Sequence, residues 1–141
     1  KSYKISIEIF PNGPSAHQNL AIVYENQNNW NKAIKEYKIV IDLTPQSPEG
    51  YYGLANNYKK TSELDLALSN ALSALSLYEQ NPPNYIGDSY GQVGLIYYDM
   101  GNKSKAKTYI QIAKEKYILN NFDDYFYATF PKSILEELSI E

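Results

Sequence analysis

Apolar residues recur along most of the chain at intervals of three and four positions, which is the spacing of one face of an α-helix. Leu20 and Tyr24, followed by Ala33, Tyr37 and Val40, show this spacing and not the alternation that would predict strands. The pattern therefore predicts an all-α protein without a sheet. The predicted helices cover residues 1–10, 15–27, 30–43, 48–60, 64–79, 84–100, 103–118, 122–129 and 131–139.

Short polar turns separate the predicted helices. Three turns contain residues that tolerate the left-handed backbone found after a helix C terminus. These are the pairs Asn28-Asn29, Thr61-Ser62 and Gly101-Asn102. Ser47 before Pro48 is typical of an N-cap followed by the first helical residue. The sequence Asn-Pro-Pro-Asn at 81–84 ends one helix and begins the next.

One combination of residues occurs three times along the chain. It consists of a large apolar residue, a small residue and a tyrosine, with an alanine nine positions after the tyrosine. The copies are Leu20-Ala21-Tyr24-Ala33, Leu54-Ala55-Tyr58-Ala67 and Val93-Gly94-Tyr97-Ala106. The second copy lies 34 residues after the first, and the third lies 39 residues after the second. The small residues would allow two antiparallel helices to approach closely.

This pattern resembles the tetratricopeptide repeat, whose 34-residue unit reads W-x2-L-G-x2-Y, then A-x3-F, then P. The resemblance implies an all-α superhelix, a right-handed solenoid of antiparallel helix pairs. It divides the chain into repeats at 14–47, 48–81 and 87–120, a linker at 82–86 and capping helices at 121–141. Residues 1–13 fit the second helix of a preceding, truncated repeat. We therefore expect that the chain is part of a longer array.

The composition excludes most catalytic and metal-dependent chemistry. All 13 basic residues are lysines, against 16 acidic residues, so the net charge is −3 and no basic stripe is available for nucleic acid. The absence of cysteine excludes disulfides and thiolate sites. His17, the single histidine, takes the place of the first aromatic residue of the repeat and is expected to pack between helices. We therefore expect no catalytic residue, no metal site and no cofactor, and hence no enzyme.

Two further site types are considered and disfavoured. The glycines Gly87, Gly91 and Gly94 lie within a predicted helix, so they are interpreted as packing positions and not as a phosphate loop. Chaperone-binding tetratricopeptide domains hold a carboxylate with a clamp that contains basic residues. The matching positions in this sequence are Gln18, Ile22, Gly53, Asp88 and Gln92. None of these is basic, which disfavours that particular function.

The resemblance implies that the first helix of each repeat lines a concave groove. We expect eleven residues to form a partner-binding stripe along it, and they mix amide, aromatic and aliphatic side chains with few charges. They are Gln18, Asn19, Ile22 and Glu25 in the first repeat, Tyr52, Asn56, Lys59 and Lys60 in the second, and Gln92, Leu95 and Tyr98 in the third. Such side chains can hydrogen-bond a peptide backbone and bury its side chains.

The leading hypothesis is a non-enzymatic scaffold for protein–protein interaction that binds a partner peptide or segment in this groove. An alternative is a targeting or regulatory segment of a larger enzyme whose catalytic domain lies outside the chain. Self-association through exposed repeat ends is a third hypothesis. No apolar run approaches the roughly 18 residues of a membrane span, so membrane insertion is not expected. The sequence does not determine the compartment, although the cytoplasm is slightly favoured.

Overall fold

The computed structural model describes residues 13–141, so the helix predicted at 1–10 and nearly all of the proposed half repeat lie outside the described residues. The described range contains eight helices and no strand. The helices are α1 (Pro14–Asn26), α2 (Trp30–Leu43), α3 (Pro48–Lys60), α4 (Leu64–Gln80), α5 (Gly87–Asp99), α6 (Lys103–Leu119), α7 (Asp123–Thr129) and α8 (Lys132–Glu137).

The helix bounds differ from the prediction mainly around the third repeat. Helix α5 begins at Gly87, whereas the pattern predicts a start at residue 84. The preceding residues form a tight turn, in which the Ile86 amide donates to the Pro83 carbonyl at 3.1 Å. Helix α8 is also shorter than the predicted 131–139, because Ser139 adopts a left-handed conformation with φ of 57°.

The turns that close α1, α3 and α5 share one geometry. Asn28, Ser62 and Gly101 have φ values of 57°, 63° and 84°, which confirms the predicted left-handed positions. In each turn the next amide donates to the carbonyl of the repeat's tyrosine. These bonds are Asn29 to Tyr24 at 2.8 Å, Glu63 to Tyr58 at 2.9 Å and Asn102 to Tyr97 at 2.9 Å. They satisfy carbonyls that the helix end would otherwise leave unpaired.

The helix starts use two kinds of cap. Proline occupies the first position of α1 and of α3, where its missing N–H costs no helical bond. Ser47 takes the N-cap position before α3, but its hydroxyl donates to the Glu49 carboxylate and makes no bond to a backbone amide. Asn29 and Asn102 instead cap α2 and α6, each accepting from an amide three residues further on.

The described chain forms two compact units, and the division falls within α4 between Leu77 and Tyr78. In both units the alanines of the repeat pattern are fully buried. Ala33, Ala67 and Ala106 are each 0 % exposed. The core also contains the larger members of the second and third copies, Leu54, Tyr58, Val93 and Tyr97. In the first copy, by contrast, Leu20 and Tyr24 are only half-buried.

Replacing Ala67 with leucine is expected to destabilise the protein by about 1–3 kcal/mol, because three additional carbon atoms must enter a site that has no exposed surface. Thermal melting followed by circular dichroism measures this change. Ser69→Leu provides the control, since it places the same side chain at an exposed position of α4. Equal melting temperatures for Ala67→Leu and the wild type would show that the repeat register is wrong.

Candidate partner-binding surface

Helices α1 and α3 carry the predicted stripe residues of the first compact unit. Gln18, Ile22 and Glu25 follow one another at helical spacing along α1, and Tyr52, Asn56 and Lys59 do so along α3. These six side chains and Asn19 are half-buried, and Lys60 is exposed. The stripe is therefore accessible in part on both helices, which is the condition for contact with a partner.

A hydrogen-bond network beneath this stripe links three helices. The Asn57 side-chain amide of α3 donates to Glu25 Oε2 of α1 at 2.6 Å. It also donates to the Gly53 carbonyl at 2.8 Å. The hydroxyl of Tyr37 in α2 donates to the other Glu25 oxygen at 3.3 Å. Glu25 is thus held in place by neutral donors from two neighbouring helices, which fixes its carboxylate at the edge of the stripe.

The sequence analysis selected Asn56 but missed Asn57, which is only 1 % exposed. A signal was available, because Asn57 lies three positions after the buried Leu54 and hence on an inward face. A buried amide needs a hydrogen-bond partner, since an unpaired buried polar group is costly. Glu25, on the neighbouring first helix, supplies that partner.

Gly53 is the position at which α2 and α3 approach most directly. A Cβ atom at Gly53 would lie 2.3 Å from Cε1 and 2.4 Å from Cζ of Tyr37. The tyrosine ring therefore lies flat against the backbone of α3, and only glycine leaves room for it. Burial, reinforced by the Glu25 carboxylate, raises the pKa of Tyr37 well above its usual value of 10.0. The hydroxyl thus stays protonated and keeps its donor role.

Lysines cover aromatic rings at both ends of the stripe. The ammonium of Lys60 lies 5.5 Å from the centre of the Trp30 ring, and that of Lys32 lies 5.6 Å from the Tyr24 ring. The second unit repeats the latter contact, with Lys105 positioned 5.3 Å from the Tyr97 ring. These distances are typical of cation–π interactions, so the lysines contribute to packing as well as to surface charge.

In the second unit the three predicted stripe residues of α5 have different environments. Leu95 and Tyr98 are half-buried. Gln92 is expected to flank the groove, but its side chain is only 6 % exposed. The physical reason is that α5 is enclosed on more than one side: nine of its thirteen residues are buried.

The C-terminal segment covers one face of α5. A Cβ atom at Gly91 would lie 2.4 Å from Cζ of Phe130, and one at Gly87 would lie 3.0 Å from the Tyr117 ring. The glycines are therefore seats for aromatic rings, which agrees with their interpretation as packing positions. Beyond this contact, the Tyr98 hydroxyl donates to Glu137 Oε1 of α8 at 2.5 Å, and Lys103 forms an ion pair with the same carboxylate.

The remaining chemistry of the described residues is structural. Nδ1 of His17 lies 2.7 Å from Glu36 Oε1, which joins α1 to α2. Between residues 13 and 141 no group of three or more His, Cys, Asp or Glu side chains could hold a metal ion. A search for membrane spans in the same range found no helix with the necessary length and hydropathy.

Comparison with known families identifies the repeat. Models of the tetratricopeptide repeat match residues 2–35 and 87–115, and a TPR repeat model matches residues 26–62. The three matches cover both compact units and include the first two copies of the Leu/Ala/Tyr pattern and the third. The chain belongs to the tetratricopeptide-repeat family. No protein of curated function matches its sequence.

Solved structures with a similar fold are also tetratricopeptide proteins. The structure of MamA has a TM-score of 0.69 at 24% identity, over 97% of this chain and 85% of MamA. YrrB, a TPR protein with an unusual peptide-binding site, has a TM-score of 0.69 at 22% identity, over 82% of this chain and 57% of YrrB. The TPR2B domain of yeast Sti1, in its pHsp70 complex, has a TM-score of 0.75 at 17% identity, over 89% and 95%. These likenesses confirm the predicted all-α, tetratricopeptide fold class.

Proposed function

We propose that this protein is a non-enzymatic interaction module that binds a segment of a partner protein on the α1–α3 stripe. One observation carries the proposal: partly exposed amide, aromatic and aliphatic side chains follow both helices above the Glu25–Asn57–Tyr37 network. The network fixes the backbone and one carboxylate before a partner arrives. Binding to a preorganised surface loses less conformational entropy.

The stripe contains the chemistry that recognises a peptide. The Asn56 amide can both donate to and accept from a partner backbone. Tyr52 offers a large, rigid surface for burial, and truncation of a central aromatic residue commonly costs about 2 kcal/mol or more of binding energy. Glu25, Lys59 and Lys60 supply charges of both signs, so an acidic side chain of the partner could be read near the lysines. With so few charges, binding should depend only moderately on salt.

Two of the similar structures support this proposal by their own binding partners. YrrB has a peptide-binding site, and the Sti1 domain was solved as a pHsp70 complex. The low identities mean that neither partner transfers to this chain. The non-basic residues at the clamp positions, Gln18, Ile22 and Gly53 among them, favour a different ligand from the carboxylate that the chaperone-type clamp holds.

The double variant Tyr52→Ala with Asn56→Ala is expected to lose partner capture while it keeps the helical fold. Affinity capture from the source cell, followed by mass spectrometry, measures the loss. A matched control is Leu66→Ala with Asn70→Ala, which removes an apolar side chain and an amide at the same spacing from α4. His17→Ala should change only stability, because its contact is with Glu36. Capture of the same proteins at wild-type levels by the double variant would show that the stripe is not the working surface.

A further inference from the structure

The second compact unit contains a surface that is already occupied by the chain's own C-terminal residues. The Phe130 ring, 3 % exposed, lies on the backbone of α5 at Gly91 and is 4.8 Å, centre to centre, from the Phe126 ring. Tyr117 closes the side of this seat, with its ring centre 6.5 Å from that of Phe130. The seat is therefore an aromatic-lined notch whose floor is a glycine.

A carboxylate-binding pair lies further along the same helix. The hydroxyl of Tyr98 and the ammonium of Lys103 both contact the Glu137 carboxylate. Their hydrogen bonds to it raise the pKa of Tyr98 and of Lys103, and those from Lys103 and Tyr98 lower the pKa of Glu137. Asp99 is the other charged group beside Tyr98, and it adds to the rise in that pKa. The three directions agree, so the pair favours an ionised carboxylate.

The residues that form the notch and the pair belong to the α5–α6 hairpin. Tyr98 lies in the last turn of α5, and Lys103 is the first residue of α6. The turn between them is fixed by the bond from the Asn102 amide to the Tyr97 carbonyl and by the Asn102 side-chain cap. The position of Tyr98 relative to Lys103 is therefore set by elements other than α8.

The residues that fill this surface, in contrast, are weakly held. Helix α8 has only six residues, which is too short to be stable without tertiary contacts. Its ion pair is solvent-exposed, at 61 % for the Lys103 side chain and 37 % for Glu137, and exposed pairs stabilise little. A cleft of about 360 Å³, lined by Tyr127, Phe130, Leu135 and Ile140 among others, remains beside the segment. The packing is therefore incomplete.

We propose that this surface is a second peptide-binding site, which residues 130–137 occupy in cis and which an acidic partner segment can occupy in trans. The partner would place an aromatic side chain on Gly91 and a carboxylate, about two helical turns further on, at Tyr98 and Lys103. Bulkier apolar residues of a partner could also fill the cleft. The C-terminal segment then controls access, because a tethered occupant acts at an effective concentration in the millimolar range.

The test uses a fluorescent synthetic peptide with the sequence of residues 128–141 and measures its binding to the full chain by anisotropy. The wild type should bind it weakly, because its own segment competes. Phe130→Ala with Glu137→Gln should bind at least ten times more tightly. Adding Tyr98→Phe and Lys103→Gln should abolish that gain. A peptide lacking its phenylalanine and the matching glutamate should not bind any of these chains.

Glu137→Gln alone keeps the test informative if the double variant unfolds, since it alters only an exposed contact. It should tighten peptide binding several-fold, whereas Lys132→Gln, an exposed change in the same helix, should leave it at the wild-type level. Equal binding by the wild type and by both folded variants would overturn the proposal and leave the segment as a cap. This readout is independent of Tyr52 and Asn56, so it can fail while the α1–α3 proposal holds.

Discussion

Replacing Phe126 with alanine is expected to reduce the free energy of unfolding by about 3–5 kcal/mol, the usual cost of removing a buried phenylalanine. The Phe126 side chain is 0 % exposed. Its ring packs on Phe130 at 4.8 Å and on Tyr117 at 6.0 Å between centres. The loss would leave a cavity at the centre of the aromatic cluster of the second unit. Urea denaturation followed by far-UV circular dichroism measures the change.

Tyr127→Ala is the matched control, because it removes a similar volume from the next position of α7. The Tyr127 side chain is 51 % exposed, so its loss should cost much less. If both variants unfolded at the same urea concentration, burial in the cluster would not be what stabilises this end of the protein. Deletion of residues 121–141 should have a larger effect and cause aggregation, as expected if the segment acts as a cap.

Gly53→Ala is expected to destabilise the protein by about 3 kcal/mol, although alanine normally favours a helix over glycine. The reason is the position of the Tyr37 ring, whose atoms would lie as close as 2.3 Å to the new methyl group. The ring is 5 % exposed, so it has little room to move away. Thermal melting of the single variant gives the size of the effect.

A double-mutant cycle with Tyr37→Leu isolates the cause. Without the ring, Gly53→Ala should cost little or even stabilise the helix, so the two changes should be strongly non-additive. Additive costs would mean that the clash with Tyr37 is not the origin of the glycine requirement. The cycle also reports on the Glu25 network, because Tyr37 supplies one of its two side-chain donors.

The sequence alone was sufficient for the repeat and its local geometry. The small residues of the pattern predicted the fully buried alanines. The polar turn residues predicted the left-handed backbone at Asn28, Ser62 and Gly101. These features depend on interactions within one turn or one helix pair, and a 34-residue period repeats them. They could therefore be identified by their spacing.

The candidate site was less accessible to this reasoning. Helical spacing located the half-buried stripe of α1 and α3, but whether a partner binds there stays a proposal. Spacing gave no indication that Gly53, considered only as a clamp position, would lie under Tyr37. It also placed Gln92 at the groove edge, whereas its side chain is buried.

The sequence by itself thus determined the family, the helix order and which faces are apolar, because these follow from short-range periodicity. Tertiary structure alone decided which side chains meet. Glu25 and Asn57 are 32 residues apart, and Tyr98 and Glu137 are 39 apart. Such pairs depend on the packing of helices whose relative positions no local pattern encodes. The occupied surface on α5 therefore became visible only when the C-terminal segment was seen to pack against Gly91.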